Sequence, residues 1–149
     1  MDKQYKIEWD ENFAWGIKEI DDQHKDIIKS VNNLYTACEE NTVKEVILDL
    51  IEELDNYVTI HFDTEENYAK KFGFEKNIEL LSDHAFFKNL YQEIKNYYTI
   101  HYTENNANSP QYKYTYIFAL HLNQTLVEWL NVHLNTIDRE LGDFLKGKI

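Results

Sequence analysis

Apolar side chains recur every three or four residues along four long segments of the chain, with polar residues filling the positions between them. A period of three and four residues is typical of a helix that buries one face, so each segment is predicted to form an amphipathic helix. In the first segment the recurring positions are Ile20, His24, Ile27, Val31, Leu34 and Cys38. We expect helices A to D at about residues 19–39, 42–71, 76–104 and 110–145.

The connections between these helices are short, which favours antiparallel neighbours. Residues 1–17 carry aromatic side chains without helical spacing and are predicted to form an arm that covers the bundle. The expected fold is therefore all-α: one domain over residues 1–149, built as an antiparallel up-down-up-down four-helix bundle with an N-terminal arm.

Composition supports this fold and narrows the possible partners. The 149 residues include four glycines and one proline, too few for a sheet protein rich in turns. A formal charge of −12 argues against binding to nucleic acid and to anionic membrane surfaces. The single cysteine, Cys38, excludes an internal disulfide, and the N-terminus lacks an apolar leader. We expect a soluble, cytoplasmic protein, and its polar outward faces favour a monomer.

Polar residues at inward-facing positions of the predicted helices indicate a possible functional site. Glu65 lies one turn after His61 on the same helix face, and Asp138 lies near the end of helix D. Burying a carboxylate is costly unless a charge, a hydrogen bond or a metal compensates it. His101 and His121 are not expected to reach these residues. The other four histidines fall on inward faces, one on each helix: His24, His61, His84 and His133.

A mixed set of imidazoles and carboxylates suits iron, manganese or zinc better than calcium or magnesium. Four-helix-bundle cores are places where such metal sites are built from inward-projecting side chains. The spacing alone leaves two interpretations open: a metal site in the core, or separate buried histidines that are each satisfied by hydrogen bonds.

Three stretches resemble the hemerythrin family, and specifically its single-domain bacterial members. The arm and helix A, IEWDENFAWGIKEIDDQHKDIIKSVNNLY, carry the family's Trp, Gly, Ile-Asp pair and Gln-His. HFDTEE on helix B matches its His-Phe-x-x-Glu-Glu element, and WLNVHLNTID on helix D matches its Trp-Leu-x-x-His-x-x-x-x-Asp element. The resemblance covers nearly the whole chain, in order.

The resemblance implies a non-heme di-iron centre of two iron ions (Fe2+/Fe3+) with an oxo or hydroxo bridge. Such a centre binds dioxygen reversibly for storage, transport or sensing, so an oxygen-binding protein is favoured over an enzyme. Peroxide or a small anion would be further ligands. Transferred by position, His24 and His61 hold the iron that receives dioxygen, Glu65 and Asp138 bridge the two irons, and His84 and His133 hold the second iron.

Two local features follow from these positions. Asp138 lies five residues after His133, an offset of about 140° on an ideal helix, so a distortion of helix D is predicted between them. On helix C the family pattern is His-x-x-x-His, but the segment here is LLSDH, so Leu80 stands where the first histidine is expected. Ser82 and Asp83 are expected to project from other sides of the helix and not to replace it.

Leu80 leaves alternatives open, because leucine has no lone pair to donate. An open coordination position at the second iron would favour a redox-active di-iron oxidoreductase, peroxidase-like or oxidase-like. Alternatively, the apolar side chain fills the core beside a mononuclear or empty site. A metal-free or zinc-bound helical interaction module is the third hypothesis.

Overall fold

The computed structural model describes residues 5–102 and 111–149, with the side chains of residues 100–102 and 111–115 excepted. A short 3-10 turn, Glu11–Phe13, lies in the arm, and a π-helical turn, Tyr57–His61, joins α2 to α3. No strand occurs in this part of the chain. The helices are α1 (Lys18–Glu40), α2 (Val43–Asn56), α3 (Phe62–Phe72), α4 (Asn77–Tyr102), α5 (Gln111–Asn135) and α6 (Ile137–Leu145).

These elements form four rods, and the predicted four-helix bundle with an N-terminal arm is confirmed. The first rod is α1, the second is α2 with the π turn and α3, the third is α4, and the fourth is α5 with α6. Rods adjacent in sequence pack together, and α5 closes the bundle by packing against α1. Where the predicted helix ends are described, they agree with the observed ones to within one residue. Residues 1–4 of the arm, 103–104 of helix C and 110 of helix D lie outside the described residues.

The turns that reverse the chain rely on residues that tolerate a left-handed backbone. Asn41 ends α1 with φ 62°, and Gly73 ends α3 with φ 72°. In both cases a backbone N–H at the turn bonds back to a carbonyl of the last helical turn, from Thr42 to Ala37 and from Gly73 to Lys70. These tight reversals place successive rods side by side.

The apolar core is divided into two clusters. The larger one fills the middle and far end of the bundle, with Ile27, Leu54, Phe87 and Leu130 among its fully buried members. The smaller cluster lies at the other end: Trp15, Ile20, Ala69, Phe74, Leu80, Ile137, Leu141 and Leu145. Along every rod the predicted metal-ligating residues fall between members of the two clusters, so a polar layer lies between two apolar ones.

Trp15 fixes the arm onto the fourth rod through a close approach to Gly142. A Cβ atom at position 142 would lie 2.5 Å from Cδ1 and 2.6 Å from Nε1 of the Trp15 ring. The ring is only 5% exposed, and it also meets His24 edge-on at 5.9 Å between centroids. The absence of a side chain at Gly142 therefore lets the arm reach the polar layer.

We expect Gly142→Ala to destabilise the protein. Overpacking against the Trp15 ring costs about 1–3 kcal/mol, and alanine recovers about 1 kcal/mol through helix propensity, so the net loss in chemical unfolding is up to about 2 kcal/mol. In a Trp15→Leu background the clash is relieved, and the same substitution should cost nothing. An equal loss in both backgrounds would show that the Trp15 contact is not the cause.

Two further observations concern Cys38 and the length and polarity of the helices. Cys38 is buried at 5% exposure in the larger cluster, as expected for a packing residue. Within the described residues, every helix is either too short or too polar to cross a bilayer.

Candidate metal centre

The structure brings together all six side chains that the sequence singled out. Each is at most 1% exposed. Their donor atoms form two groups that share Glu65, and within each group the atoms lie within 4.8 Å of one another. His121 is exposed and remote from them, and the side chain of His101 lies outside the described residues. The first group is His24, His61, Glu65 and Asp138, and the second is Glu65, His84 and His133.

Two interruptions of helical geometry position these side chains. The helix break predicted between His133 and Asp138 is present: α5 ends at Asn135, and Thr136 adopts φ −119° and ψ −103° before α6 begins. The π turn at Tyr57–His61 was not predicted, because the apolar stripe continues through it without a change of period. A π turn widens the helix, and such turns are frequent at functional sites. Three of its five residues, Tyr57, Val58 and His61, are buried.

The two carboxylates lie between the two pairs of histidines. Asp138 divides its oxygens, with Oδ2 3.5 Å from Nε2 of His24 and Oδ1 3.5 Å from Nε2 of His133. Glu65 Oε1 lies 2.9 Å from Nε2 of His61 and 3.5 Å from Nε2 of His84. We call the part of the centre beside His24 and His61 the first half, and the part beside His84 and His133 the second half. Each carboxylate therefore faces both halves, which is the placement that a shared ligand of two metal ions requires.

The inward-facing donor atoms have no hydrogen-bond partner in the described part of the chain. This holds for Nε2 of all four histidines and for both carboxylate oxygens of Glu65 and of Asp138. Even the 2.9 Å approach between His61 and Glu65 lacks hydrogen-bonding geometry. Buried polar atoms are rarely left unpaired, and unpaired carboxylates are especially costly. The donor set thus fits bound cations and does not fit four separately satisfied histidines.

The outer nitrogen of each imidazole is satisfied. Nδ1 lies 2.9 Å from the Phe13 carbonyl oxygen in His24, 2.6 Å from Gln23 Oε1 in His61, 2.8 Å from Glu66 Oε1 in His84 and 2.5 Å from Asp83 Oδ2 in His133. All four partners are acceptors, so each neutral imidazole donates from Nδ1 and keeps its lone pair on Nε2. That is the tautomer a metal ligand needs, and such supporting partners orient and tune ligating histidines.

The supporting acceptors differ between the two halves. Behind His24 and His61 they are neutral, a backbone carbonyl and an amide, whereas behind His84 and His133 they are carboxylates. A carboxylate acceptor makes an imidazole a more basic ligand. The second half, which lies beside Leu80, is therefore the half whose two histidines have the stronger support.

Sequence reasoning missed these supporting residues. Asp83 was expected only to project from another side of the helix and not to replace the missing ligand, and its carboxylate in fact reaches across the bundle to Nδ1 of His133 on α5. Glu66 and Asp83 are each adjacent in sequence to a predicted ligand, and that adjacency was the available signal. It is a weak one, since neighbouring residues on a helix normally face different directions.

Electrostatics in the metal-free centre reflect the mutual proximity of these groups. Burial lowers the pKa of His24, but Asp138 and Glu65 outweigh it and raise the value to about 8. Burial likewise opposes the charged form of His133, yet Asp138, Asp83 and Glu65 hold its pKa well above the usual range. The pKa of Glu65 is raised by burial and by the nearby Asp138. Without metal, the carboxylates thus draw protons to His24 and His133, whereas burial lowers the pKa of His61 and of His84.

Leu80 lies one turn before His84, so the two side chains share a helix face. It is fully buried in the smaller apolar cluster, against residues from the arm and from α1, α3 and α6. Leucine supplies no donor atom. Within the described residues, the second group contains two histidines, supported by the shared carboxylates.

Comparison with known proteins agrees with this geometry. The hemerythrin HHE cation binding domain matches residues 16–145 of the chain. A bacteriohemerythrin of Clostridium acetobutylicum is 25% identical over 138 residues, covering 91% of this chain and 98% of the relative. Bacteriohemerythrins of Pseudomonas aeruginosa are 34% identical over 67 residues, covering 45% of this chain and 43% of theirs. No solved structure matches. The cluster of buried histidines and carboxylates and the family match together show that the chain belongs to the hemerythrin family of metal-binding helical-bundle proteins.

Proposed function

We propose that this protein is a non-heme di-iron protein that binds dioxygen reversibly, for storage, transport or sensing. The observation that carries the proposal is the set of buried Nε2 and carboxylate oxygen atoms that face one another without hydrogen bonds. Two iron ions held there, cycling between Fe2+ and Fe3+ with an oxo or hydroxo bridge, would supply the dioxygen chemistry. We further propose a monomer located in the cytoplasm.

The six predicted ligands would be divided between the two irons. His24 and His61 would hold one iron and His84 and His133 the other, while Glu65 and Asp138 would be shared between them. The larger apolar cluster borders the centre and limits the access of water, which favours reversible binding over side reactions. The outer hydrogen bonds fix the rings before metal arrives, so little ordering remains to be done on binding.

Iron analysis and optical spectroscopy test this proposal. After anaerobic reconstitution with Fe2+ and desalting, close to two irons per chain are expected. Exposure to dioxygen should produce a charge-transfer band that bleaches when dioxygen is removed and returns on re-exposure. A protein that stays colourless, or that retains no iron, would contradict the proposal and favour a metal-free or zinc-bound interaction module.

Leu80 supports a second candidate function, a redox-active di-iron oxidoreductase. Its side chain cannot ligate, so His84, His133 and the shared carboxylates would hold the second iron and would leave room for a further ligand. Open positions are typical of catalytic metal sites. Steady consumption of peroxide in the presence of a reductant, without a reversible dioxygen band, would favour this enzyme over an oxygen carrier.

A further inference from the structure

Tyr57 carries a buried hydroxyl group that has no partner. The side chain is 3% exposed, and its hydroxyl makes no hydrogen bond within the part of the chain that the structure describes. Burying an unpaired hydroxyl costs free energy that a phenylalanine at the same place would avoid. The position is therefore suboptimal for packing alone, which points to a ligand.

The ring of Tyr57 lies directly against the first half of the centre. It stacks on the His61 ring with centroids 4.6 Å apart and an angle of 17° between the planes. The edges of Phe62 and Phe87 meet it at 4.9 Å and 6.1 Å between centroids. Aromatic neighbours fix the ring but offer the hydroxyl no strong acceptor.

Charges at the centre act on this hydroxyl. Burial raises the pKa of Tyr57 well above its usual value, and Glu65, Asp138 and Asp83 raise it further. Two of these carboxylates are the shared ones, and the third supports His133. Independently of these charges, the geometry places a buried phenol, which can donate a hydrogen bond, on a ring stacked against His61 at the edge of the centre.

A surface crevice reaches the side chains of Tyr57 and His61. A crevice of about 210 Å³ opens between α1 and the second rod. Its outer walls include Asp26, Glu53 and Asn56, and its least exposed lining residues are Tyr57 and His61. The crevice thus leads from solvent to the ring pair beside the first half of the centre.

We propose that the Tyr57 hydroxyl donates a hydrogen bond to a small electron-rich ligand, dioxygen or an anion such as azide, that occupies the half of the centre formed by His24 and His61. Tyr57 would thereby select ligands that can accept a hydrogen bond and slow their release. This inference rests on the proposed di-iron function, and it adds a ligand-binding residue outside the six predicted metal ligands.

Tyr57→Phe tests the inference, because it removes only the hydroxyl. Tyr91→Phe is a matched control: Tyr91 is also 3% exposed, but its hydroxyl donates to the Ile51 carbonyl and to Asp55, away from the centre. The affinity of iron-loaded, oxidised protein for azide is measured by optical titration. We expect Tyr57→Phe to weaken azide binding by roughly 10–100-fold, the scale of a hydrogen bond to a charged group, and Tyr91→Phe to leave it within about twofold.

Two further readouts separate ligand binding from a packing role. The antisymmetric infrared stretch of bound azide should shift in Tyr57→Phe and stay unchanged in Tyr91→Phe. With dioxygen as the ligand, Tyr57→Phe should release it faster. In thermal unfolding of the metal-free protein, Tyr57→Phe should be at least as stable as the parent, whereas Tyr91→Phe should be less stable.

The outcomes distinguish this inference from the function on which it rests. Unchanged azide affinity and an unshifted infrared band in iron-loaded Tyr57→Phe would overturn the hydrogen bond and leave the di-iron function standing. A loss of metal-free stability in Tyr57→Phe as large as that in Tyr91→Phe would show that the hydroxyl has a structural partner. A parent protein that takes up no iron would overturn both.

Discussion

Replacing Glu65 by glutamine is expected to weaken the binding of both metal ions while leaving the metal-free fold intact. The substitution keeps the volume of a fully buried side chain but removes its charge and one of its two acceptor oxygens. Loss of a charge-assisted contact is worth about 1.5–3 kcal/mol, or roughly 10–100-fold in affinity, and a shared carboxylate makes that contact with each ion. Iron content after reconstitution and titration with Co2+ are the measurements.

The neighbouring Glu66→Gln is the matched control for this prediction. Of the four clustered histidines, Glu66 accepts a hydrogen bond from His84, so its substitution should weaken metal binding in the second half and spare the first. Glu66→Gln is therefore expected to weaken one of the two binding steps, whereas Glu65→Gln is expected to weaken both. If Glu65→Gln bound two Co2+ ions with the affinity of the parent, Glu65 would not be a shared ligand.

Leu80→His is expected to raise the affinity of the second half for metal and to lower the stability of the metal-free protein. A histidine at this position shares a helix face with His84 and adds a nitrogen donor to the half that has two. We expect a gain of roughly 10–100-fold, at least the scale on which supporting residues act in metal sites. Without metal, the new imidazole is buried among apolar side chains, which costs about 1–3 kcal/mol if it finds no partner.

Leu81→His supplies the comparison, because Leu81 is 42% exposed and faces away from the polar layer. Its substitution should change neither metal affinity nor metal-free stability by more than about 0.5 kcal/mol. Under the oxidoreductase alternative, filling the position in Leu80→His should also suppress peroxide turnover. A Leu80→His protein that is destabilised without metal and gains no affinity would show that position 80 does not reach the second ion.

The four rods and most of the inward-facing side chains could be predicted from the periodicity of apolar positions. The three-and-four spacing identified all four rods, because a helix that buries one face must repeat its apolar residues in that way. The same rule placed His24, His84 and His133 inward, since each lies on a stripe whose other members are apolar. The family resemblance placed both His133 and Asp138 at the centre, and their five-residue offset then predicted a distortion of helix D between them, which the structure has at Thr136.

Other features had no signal in the local pattern. The π turn at Tyr57–His61 leaves the apolar stripe uninterrupted, so periodicity cannot distinguish it from an α-helical turn. The supporting hydrogen bonds join residues far apart in the chain, from His61 to Gln23 over 38 positions and from His133 to Asp83 over 50. Such pairs depend on how rods pack and which rotamers that packing allows.

The sequence by itself determined the all-α bundle, the inward positions of the four histidines and Glu65, and the absence of a donor at Leu80, because these follow from residue type and helical spacing. Only the tertiary structure decided which atoms face one another. It divided the oxygens of Asp138 between two histidines, placed carboxylates behind one half and neutral acceptors behind the other, and left the Tyr57 hydroxyl unpaired beside the centre. The reason is physical. Hydrogen bonds and ligand geometry are sensitive to shifts of a few tenths of an ångström in the positions of neighbouring rods, and helical spacing along one rod does not specify those positions.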